Sequence, residues 1–292
     1  MRRLDRLIKL SSGKLLFTSD LQGALHDFEQ VLLKYSELRR AGEADFLVFG
    51  GDLLHAYPGY RDNSLELLQR LSSLREKDPN IILLMGNHEL SHVLHWRLRK
   101  GRLNFTEELE EIIKGAREEF ATLLSRLPFG IVTQGGVLLQ HTGPSKVLGS
   151  LNLDDDGDEK LWDWFWNIDF QESMPNGPAP LKVFKPEFGS NLLNTPQGKL
   201  LWEAFMNKNE FQYEDYPSVL SRYLKNFQGT VSFIISGHIP VATGAKKLFD
   251  HQLRICSGYG AQSDREKKLL LIDASLTYKN LGELEAGLVD LF

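Results

Sequence analysis

The sequence predicts an α/β fold, because strand-like and helix-like segments alternate over its first 85 residues. Apolar runs at 14–19, 45–49 and 81–85 are bounded by turn-forming residues and fit buried strands. Between them, residues 26–40 and 64–74 repeat apolar side chains every three or four positions, as amphipathic helices do. This order forms two right-handed crossover units and therefore predicts a parallel sheet.

Each of these three strands ends in a polar cluster flanked by glycine. Asp20 and Gln22 follow the first, Asp52 the second, and Asn87 with His88 the third. Parallel strands bring their ends to one edge of the sheet, where open α/β folds place their sites. These carboxylates, amide and imidazole form a ligand set for divalent metals. Taken alone, the polar cluster after the third strand has an equally good structural explanation, in which Asn87 caps the following helix and His88 is a surface residue.

The second half of the chain predicts further elements. We expect helix over 91–115 and 107–127, a hairpin over 130–140 that ends at His141, and helix again over 217–227. Strands are expected over 231–236, 252–256 and 268–273, and His238 follows the first of these. His92 and His95 share a face of the expected helix with His88, but a structural or solvated role is favoured over a functional one for both.

Residues from about 145 to 215 have a different character, and we expect an irregular elaboration of a single domain that spans 1–292. The acidic run 154–159 resembles a calcium loop, but Phe165 stands where the bidentate acid is required, so a solvated loop is favoured. The aromatic residues at 162 and 164–166 either wall a substrate cleft or pack a small core, and packing is favoured. Four prolines between 175 and 186 indicate extended chain.

The composition argues against several classes of protein. The 292 residues carry 42% hydrophobic side chains and a formal net charge of -5, which disfavours a general nucleic-acid binder. No apolar run is long enough for a signal peptide or a membrane span. The single cysteine, Cys256, fits a small buried side chain in a reducing compartment. We therefore expect a cytoplasmic protein without membrane partners.

Together the polar clusters resemble a known family. Asp20 to Gly23, Gly51-Asp52, Gly86 to Glu89, His141 and Gly237-His238 follow the order of the motifs of the calcineurin-like metallophosphoesterases. Within that superfamily the chain is most similar to the phosphoprotein (Ser/Thr) phosphatase branch. The motifs span about residues 15 to 273.

The resemblance implies a four-layer α-β-β-α sandwich, in which two mixed sheets pack face to face and helices lie outside. It also implies two divalent metal ions, Mn, Fe or Zn, which activate a water molecule for attack on a phosphate ester. The implied metal ligands are six residues: Asp20, Gln22, Asp52, Asn87, His141 and His238. The implied catalytic acid, which protonates the leaving oxygen, is His88.

Two departures from the family pattern concern the first metal. The family has histidine where this chain has Gln22, and an amide oxygen is a weaker zinc or iron ligand than imidazole. Other branches supply a second histidine at the position of Pro240. We expect the second metal position, formed by Asp52, Asn87, His141 and His238, to have its full ligand set and the first to be weakened.

A further departure concerns phosphate binding. The family's Asp-Arg-Gly group is His55-Ala56-Tyr57 here, so the carboxylate beside the catalytic histidine and the phosphate-clamping arginine are both replaced. His55 is therefore expected to contact His88 or a metal, or to be purely structural. Arg61 and Arg254 are candidate replacements for the arginine. His55, Glu89 and Arg254 are expected around the ligands.

These features predict a metal-dependent phosphomonoesterase that acts on a phosphorylated protein or a small phosphate ester. A dinucleoside polyphosphate hydrolase is an alternative, because bacterial enzymes of that kind share the motifs. The alternative from another class is a binding protein that keeps the fold but has lost turnover, with Gln22 and Ala56 as the lesions.

Overall fold

A computed structural model describes residues 5–100, 102–175 and 177–292. The strands in chain order are β1 Leu7–Leu10, β2 Lys14–Thr18, β3 Phe46–Phe49, β4 Ile81–Leu83, β5 Arg99–Lys100, β6 Leu103–Asn104, β7 Gly130–Thr133, β8 Val137–Gln140, β9 Phe233–Ser236, β10 Ala245–Leu248, β11 Gln252–Ile255, β12 Lys268–Asp273 and β13 Leu288–Asp290. The helices are α1 Leu25–Arg40, α2 Ser64–Lys77, α3 Asn87–Val93, α4 Phe105–Ile113, α5 Arg117–Ser125, α6 Lys146–Ser150, α7 Asp156–Asn167, α8 Pro186–Leu192, α9 Pro196–Met206, α10 Tyr216–Lys225 and α11 Leu281–Glu285. None of these helices is long and apolar enough to cross a membrane.

Two mixed sheets form the centre of the molecule. One has the strand order β13-β12-β2-β3-β4, in which β2, β3 and β4 run parallel as the crossover units predict. The other has the order β1-β7-β8-β9-β11-β10, and β7 and β8 form the expected antiparallel hairpin. The predicted α/β class is confirmed, and two mixed sheets with helices agree with the predicted sandwich.

Alternation of side chains along the strands explains the layers. Leu15 and Phe17 of β2 belong to a core shared with Leu139 and Ile235 of the other sheet. Leu16, between them, points the other way and belongs to the core under the helices. Because successive side chains on a strand face opposite sides, apolar runs such as 14–18 can bury both faces.

The expected helix over 91–115 is wrong in its middle. Helix α3 ends at Val93, His95 has a left-handed φ of 59°, and the chain forms the short hairpin β5-β6 before α4 begins. The Asn104 side chain accepts a hydrogen bond from Glu107 N and so starts α4 as an N-cap. The apolar residues keep helical spacing across this turn, which is why a continuous helix was expected. Asn104 was the local signal that a new helix begins.

The segment expected to be irregular contains helices α6 to α9. Three of them begin with a capping side chain, Ser145, Asp155 or Thr195, and Pro186 and Pro196 occupy the first turns of α8 and α9. The acidic run expected as a solvated loop forms the first turn of α7, where carboxylates interact favourably with the helix dipole.

Aromatic side chains and one buried arginine attach this segment to the sandwich. Trp162 and Trp166 contact Phe227 at ring-centroid distances of 5.2 and 6.1 Å, which agrees with the packing interpretation. The Arg6 guanidinium donates to three backbone carbonyls, at Ser125, Leu127 and Ile168 (2.7–2.8 Å). Burial lowers the pKa of Arg6 to about 10, and the nearby Asp169 carboxylate partly opposes this.

Candidate metal centre and active site

Strands from both sheets deliver polar residues to one place. Asp20, Asp52 and Asn87 follow β2, β3 and β4, whereas His141 and His238 follow β8 and β9 of the other sheet. Because the sheets pack face to face, these strand ends meet at a common edge. The sequence order of the motifs thus becomes a spatial cluster.

The backbone at this edge is unusual. Of the nine non-glycine residues with left-handed φ in the described part of the chain, five are Asp20, Gln22, Asp52, His55 and His238, with φ between 46° and 71°. Such conformations cost free energy and cluster at functional sites. Backbone hydrogen bonds hold them, for example from Gln22 N to Asp52 O (2.9 Å).

Glycine is required at two places beside these residues. A Cβ on Gly86 would lie 2.3 Å from Asp52 N, and a Cβ on Gly237 would lie 2.1 Å from Asp20 Oδ2. Both distances are far inside van der Waals contact, so a side chain at either position would displace a carboxylate. This explains the glycines that flank the motifs.

Four side chains converge on one point. The Asn87 Oδ1 atom lies 2.9 Å from both His141 Nε2 and His238 Nδ1, and these two nitrogens are 3.2 Å apart. Asp52 Oδ1 lies 3.3 Å from His141 Nε2. Within the described residues, Asp52, His141 and His238 are the one group of three or more His, Cys, Asp or Glu side chains whose ligand atoms lie within 4.8 Å of one another.

The hydrogen bonds of the two histidines orient their lone pairs toward this point. His141 Nδ1 lies 2.9 Å from Gly50 O, and His238 Nε2 lies 2.9 Å from Asn207 O. A carbonyl oxygen only accepts, so each of these outer nitrogens carries the proton and, in the neutral ring, leaves the inner nitrogen bare. That arrangement is the one a metal-binding imidazole needs, and the donor set therefore fits a divalent cation.

The Asn87 amide gives a second test of the fit. With its nitrogen turned inward it would donate to His141 Nε2, His238 Nδ1 and both oxygens of Asp52 (2.9–3.2 Å), and the cluster would be held together without a cation. With its oxygen inward, all four side chains present lone pairs to the same point. Only that orientation suits a metal ligand.

The charges at this edge favour a bound cation. Burial alone would lower the pKa of His141, but the carboxylates of Asp52, Asp20 and Glu89 raise it to about 9. Burial opposes ionisation of Asp52, yet the neighbouring histidines hold its pKa well below the usual range. Burial and the proximity of His141 lower the pKa of His238 to about 3. A proton on His141 and a metal ion would therefore compete for the same lone pair.

Comparison with known proteins identifies the family. A family model for calcineurin-like phosphoesterases matches residues 13–242. The chain belongs to the calcineurin-like phosphoesterase family. It is therefore a metal-dependent hydrolase of phosphate esters. A search of curated proteins found no match.

Solved structures of phosphatases share the fold of this phosphoesterase. A serine/threonine phosphatase from Saccharomyces cerevisiae matches with a TM-score of 0.55 and 18% identity, over 92% of this chain and 76% of that one. A cold-active protein tyrosine phosphatase from a psychrophilic Shewanella species matches with a TM-score of 0.56 and 17% identity, over 92% and 78%. A point mutant of a cold-active protein tyrosine phosphatase has a TM-score of 0.60 at 17% identity, over 92% and 78%. At this identity the likeness establishes the fold.

The residues expected at the first metal position are arranged differently from those expected at the second. Both oxygens of Asp20 accept from the backbone N–H of His238 (2.9 and 3.0 Å), and burial raises the pKa of Asp20 to about 6. Asp20 does not join the cluster of three ligating side chains. Gln22 is buried, and its backbone bonds to Asp52. The Asp20 carboxylate thus lies against the backbone of His238 and, with Gln22, does not form a group comparable to that of Asp52, His141 and His238.

His88 lies beside the cluster and reaches solvent. Its Nε2 is 3.7 Å from Asp52 Oδ2, and its side chain is 15% exposed. Its backbone N–H donates to Asp52 Oδ1 (3.1 Å), so the two residues are fixed relative to each other. The other ring nitrogen, Nδ1, lies 2.9 Å from His55 Nδ1, so of the roles left open for His55 the structure shows the contact with His88.

Glu89 and Arg254 have distinct surroundings. The fully buried Glu89 accepts from the backbone N–H groups of Asp52, Leu53 and Gly86 (2.8–3.1 Å), which fixes the loop that carries Asp52. Burial raises the pKa of Glu89. Arg254 is buried and makes a two-pronged ion pair with Glu210 (2.7 and 2.9 Å). Its guanidinium is therefore already engaged and would have to leave Glu210 to bind phosphate.

Sequence reasoning missed several groups that orient the site. The carbonyls of Gly50 and Asn207 set the histidine tautomers, and no side-chain pattern signals a carbonyl. It also missed the role of Glu110, which contacts His92 through its Oε1 (2.7 Å). An acidic residue on the apolar face of α4 was the available signal, since Glu110 is buried beside Leu109 and Ile113.

Proposed function

We propose that this protein is a phosphomonoesterase that hydrolyses phosphoserine or phosphothreonine in proteins, or a small phosphate monoester. The observation that carries this proposal is the convergence of Asp52, Asn87, His141 and His238 beside a partly exposed His88. The net charge of -5 disfavours a nucleic-acid substrate, since that backbone is itself a polyanion.

In this proposal the four converging side chains hold the second metal position, and Asp52 with Asp20 and Gln22 holds the first. Bound divalent cations would neutralise phosphate oxygens and promote ionisation of the attacking water. The first position offers oxygen ligands alone, which suits manganese or magnesium better than zinc. Glu89 positions Asp52 through three backbone hydrogen bonds rather than by touching substrate.

His88 is the proposed catalytic acid. In hydrolysis, a bond forms between phosphorus and the oxygen of water, and the ester P–O bond breaks. The departing oxygen takes the Nε2 proton of His88, the attacking water releases one proton to solvent, and His88 is then reprotonated. The products are alcohol and phosphate. An alkoxide leaves poorly without a proton, so this transfer contributes about 10²–10⁴-fold to the rate.

The test begins with protein stripped of metal and then titrated with manganese, magnesium or zinc. Release of nitrophenol from p-nitrophenyl phosphate that depends on added metal is expected. A phosphoserine peptide and a diadenosine polyphosphate are assayed in parallel, and faster turnover of the diadenosine compound would replace the proposed substrate class. No hydrolysis of any of the three with any metal would favour a binding protein that has lost turnover.

The role of His88 is tested by His88→Ala. Turnover of a phosphoserine peptide should fall about 10²–10⁴-fold, whereas metal content, measured by elemental analysis, should stay nearly unchanged. His26→Ala removes an exposed histidine that follows Leu25 at the start of α1 and serves as the matched control. Equal loss of metal in His88→Ala and Asp52→Asn would show that the two roles are misassigned.

A further inference from the structure

A row of hydrogen-bonded side chains leads from His88 into the protein interior. His88 Nδ1 lies 2.9 Å from His55 Nδ1, and His55 Nε2 lies 2.9 Å from His92 Nε2. His92 Nδ1 in turn lies 2.7 Å from Glu110 Oε1. His55 and His92 are each 1% exposed, so the link between these two rings is closed to water.

The inner end of the row has a fixed hydrogen-bonding role. Arg117 Nε donates to the second oxygen of Glu110, Oε2 (2.7 Å), and Arg117 Nη2 donates to His92 O (3.2 Å). Arginine can only donate hydrogen bonds, and a carboxylate can only accept them. Both oxygens of Glu110 therefore accept, and His92 Nδ1 must be the donor.

The proton positions follow from this end outward. When His92 is neutral, its proton on Nδ1 leaves Nε2 bare, and His55 then donates from its own Nε2. Neutral His55 is then bare at Nδ1, so His88 must donate from Nδ1. The Nε2 atom of His88, which faces Asp52 and solvent, is left as the site that exchanges its proton.

The surroundings of His55 keep it in this arrangement. Its ring stacks on Phe105 with centroids 5.7 Å apart, and its backbone N–H donates to Ser64 Oγ (2.7 Å). Burial and the adjacent imidazoles of His92 and His88 hold the pKa of His55 well below its usual range. A neutral ring has one donor and one acceptor, as the row requires.

We propose that Glu110, acting through His92 and His55, fixes a proton on Nδ1 of His88 and so keeps Nε2 aimed at the substrate. Glu110, His92 and His55 are positioning residues, because none of them touches the reacting atoms. This inference rests on the proposed role of His88 as the catalytic acid.

The proton pattern can be measured without any assay of activity. In zinc-loaded protein with ¹⁵N-labelled histidine, long-range ¹H–¹⁵N spectra should show neutral His92 protonated at Nδ1, His55 at Nε2 and His88 at Nδ1. In His92→Gln these assignments should be lost for His88 while the Glu110–Arg117 ion pair stays intact. A neutral His88 protonated mainly at Nε2 in the wild type would overturn the proposal.

The kinetic test compares substrates with poor and good leaving groups. Glu110→Gln should lower kcat for a phosphoserine peptide roughly 10- to 100-fold, because an indirect partner supplies part of the acid's effect. The loss for p-nitrophenyl phosphate should be much smaller, since nitrophenolate leaves without a proton. Glu111→Gln, on the exposed face of the same helix, is the matched control. Equal losses for both substrates would indicate a structural role and overturn the proposal.

A rescue variant separates positioning from packing. His55→Asp places a carboxylate, which can only accept, directly beside His88 Nδ1, and makes the rest of the row unnecessary. The double variant His55→Asp with Glu110→Gln should recover most of the activity lost in Glu110→Gln, and recovery of none would contradict the proposal. If the wild type hydrolyses no phosphate ester, the proposed function fails. The spectra would still show which nitrogen of His92, His55 and His88 carries a proton, so the two failures can be told apart.

Discussion

Polar side chains are buried both at the edge where the strand ends carrying Asp52, Asn87 and His141 meet and in the helical segment 145–215. The two regions differ in what these side chains contact. At the edge, the side chains of Asp52, Asn87 and His141 direct their possible ligand atoms at one point, where His141 Nε2 lies 2.9 Å from Asn87 Oδ1 and 3.3 Å from Asp52 Oδ1. In the helical segment and its contacts, buried polar side chains instead hold the backbone: Arg6 donates to three carbonyls, and His95 Nδ1 accepts from Lys185 N (2.7 Å).

This difference predicts that activity and stability can be separated. Groups held for a cation lower the stability of the metal-free fold, and removing them should cost activity more than folding. Groups that complete the packing of the helical segment should cost stability and leave turnover of the folded fraction intact. Four substitutions test the separation, two on each side.

Asp52→Asn should have the largest effect. It keeps the shape of the side chain but removes the one anion that both proposed metal positions share, so bound metal and turnover should be lost, with turnover falling about 10³-fold or more. The melting temperature of the metal-free protein should also fall, because the favourable pairing that lowers the pKa of Asp52 beside His141 is lost. Elemental analysis measures the bound metal, and calorimetry measures the melting temperature. If Asp52→Asn retained two bound metals, Asp52 would not be a ligand of the proposed metal positions, and the comparison between the two regions would fail.

Arg6→Ala should lower the free energy of unfolding by about 2–4 kcal/mol, because it leaves three buried carbonyls without donors. It also removes the guanidinium from the Phe129 and Phe170 rings, which lie 5.2 and 4.7 Å away. Urea denaturation measures the loss, and Arg40→Ala, at the exposed end of α1, is the control. Turnover per folded molecule should match the wild type. A drop in kcat without a drop in stability would contradict the assignment.

His95 makes stability depend on pH. Burial and Arg117 lower its pKa to about 3, so the folded protein excludes a proton that the unfolded chain takes up near pH 6.5. Its contribution is therefore full above about pH 6.5 and is lost as the pH falls toward about 3, by roughly 2 kcal/mol between pH 7 and 5. His95→Gln keeps an acceptor for Lys185 N and should flatten that part of the curve. The control is His26→Gln. If the free energy of unfolding of His95→Gln depended on pH as it does in the control, His95 would not be the cause of that dependence.

Gln22→His should have the smallest effect, and it compares the two proposed metal positions with each other. Histidine tolerates the left-handed φ of 46° at this position and adds an imidazole to the first metal position. Affinity for zinc there should rise about tenfold, while the second position should be unaffected. Isothermal titration calorimetry resolves the two. An increase at the second position instead would mean that Gln22 lies on the wrong side of Asp52.

The meeting of Asp52, Asn87, His141 and His238 could be expected from the sequence, but the row of side chains that leads from His88 to Glu110 could not, and one local error explains why. Strand ends are local features, so Asp52, Asn87, His141 and His238 could be recognised in order. The contact between His92 and Glu110 depends on the turn after Val93. A continuous helix would separate residues 18 positions apart by about 27 Å, whereas the hairpin brings them to 2.7 Å.

The helical segment was underpredicted for a related reason. Its prolines between 175 and 186 predict extended chain, yet Pro186 lies in the first turn of a helix, as Pro196 does further on, and a missing N–H costs nothing there. The edge strands β1, β10 and β13 were not predicted either, because a strand of three or four residues at a sheet edge has too little pattern to distinguish it from a loop.

The left-handed backbone of Asp20 and Asp52 also bears on how such a protein can change over generations. Asparagine and glycine are among the residues that accept this conformation most readily, and both are one nucleotide away from aspartate. Mutations that silence the chemistry are thus the ones the main chain tolerates best. A descendant can lose turnover in a single step and still present the same surface to whatever it recognises.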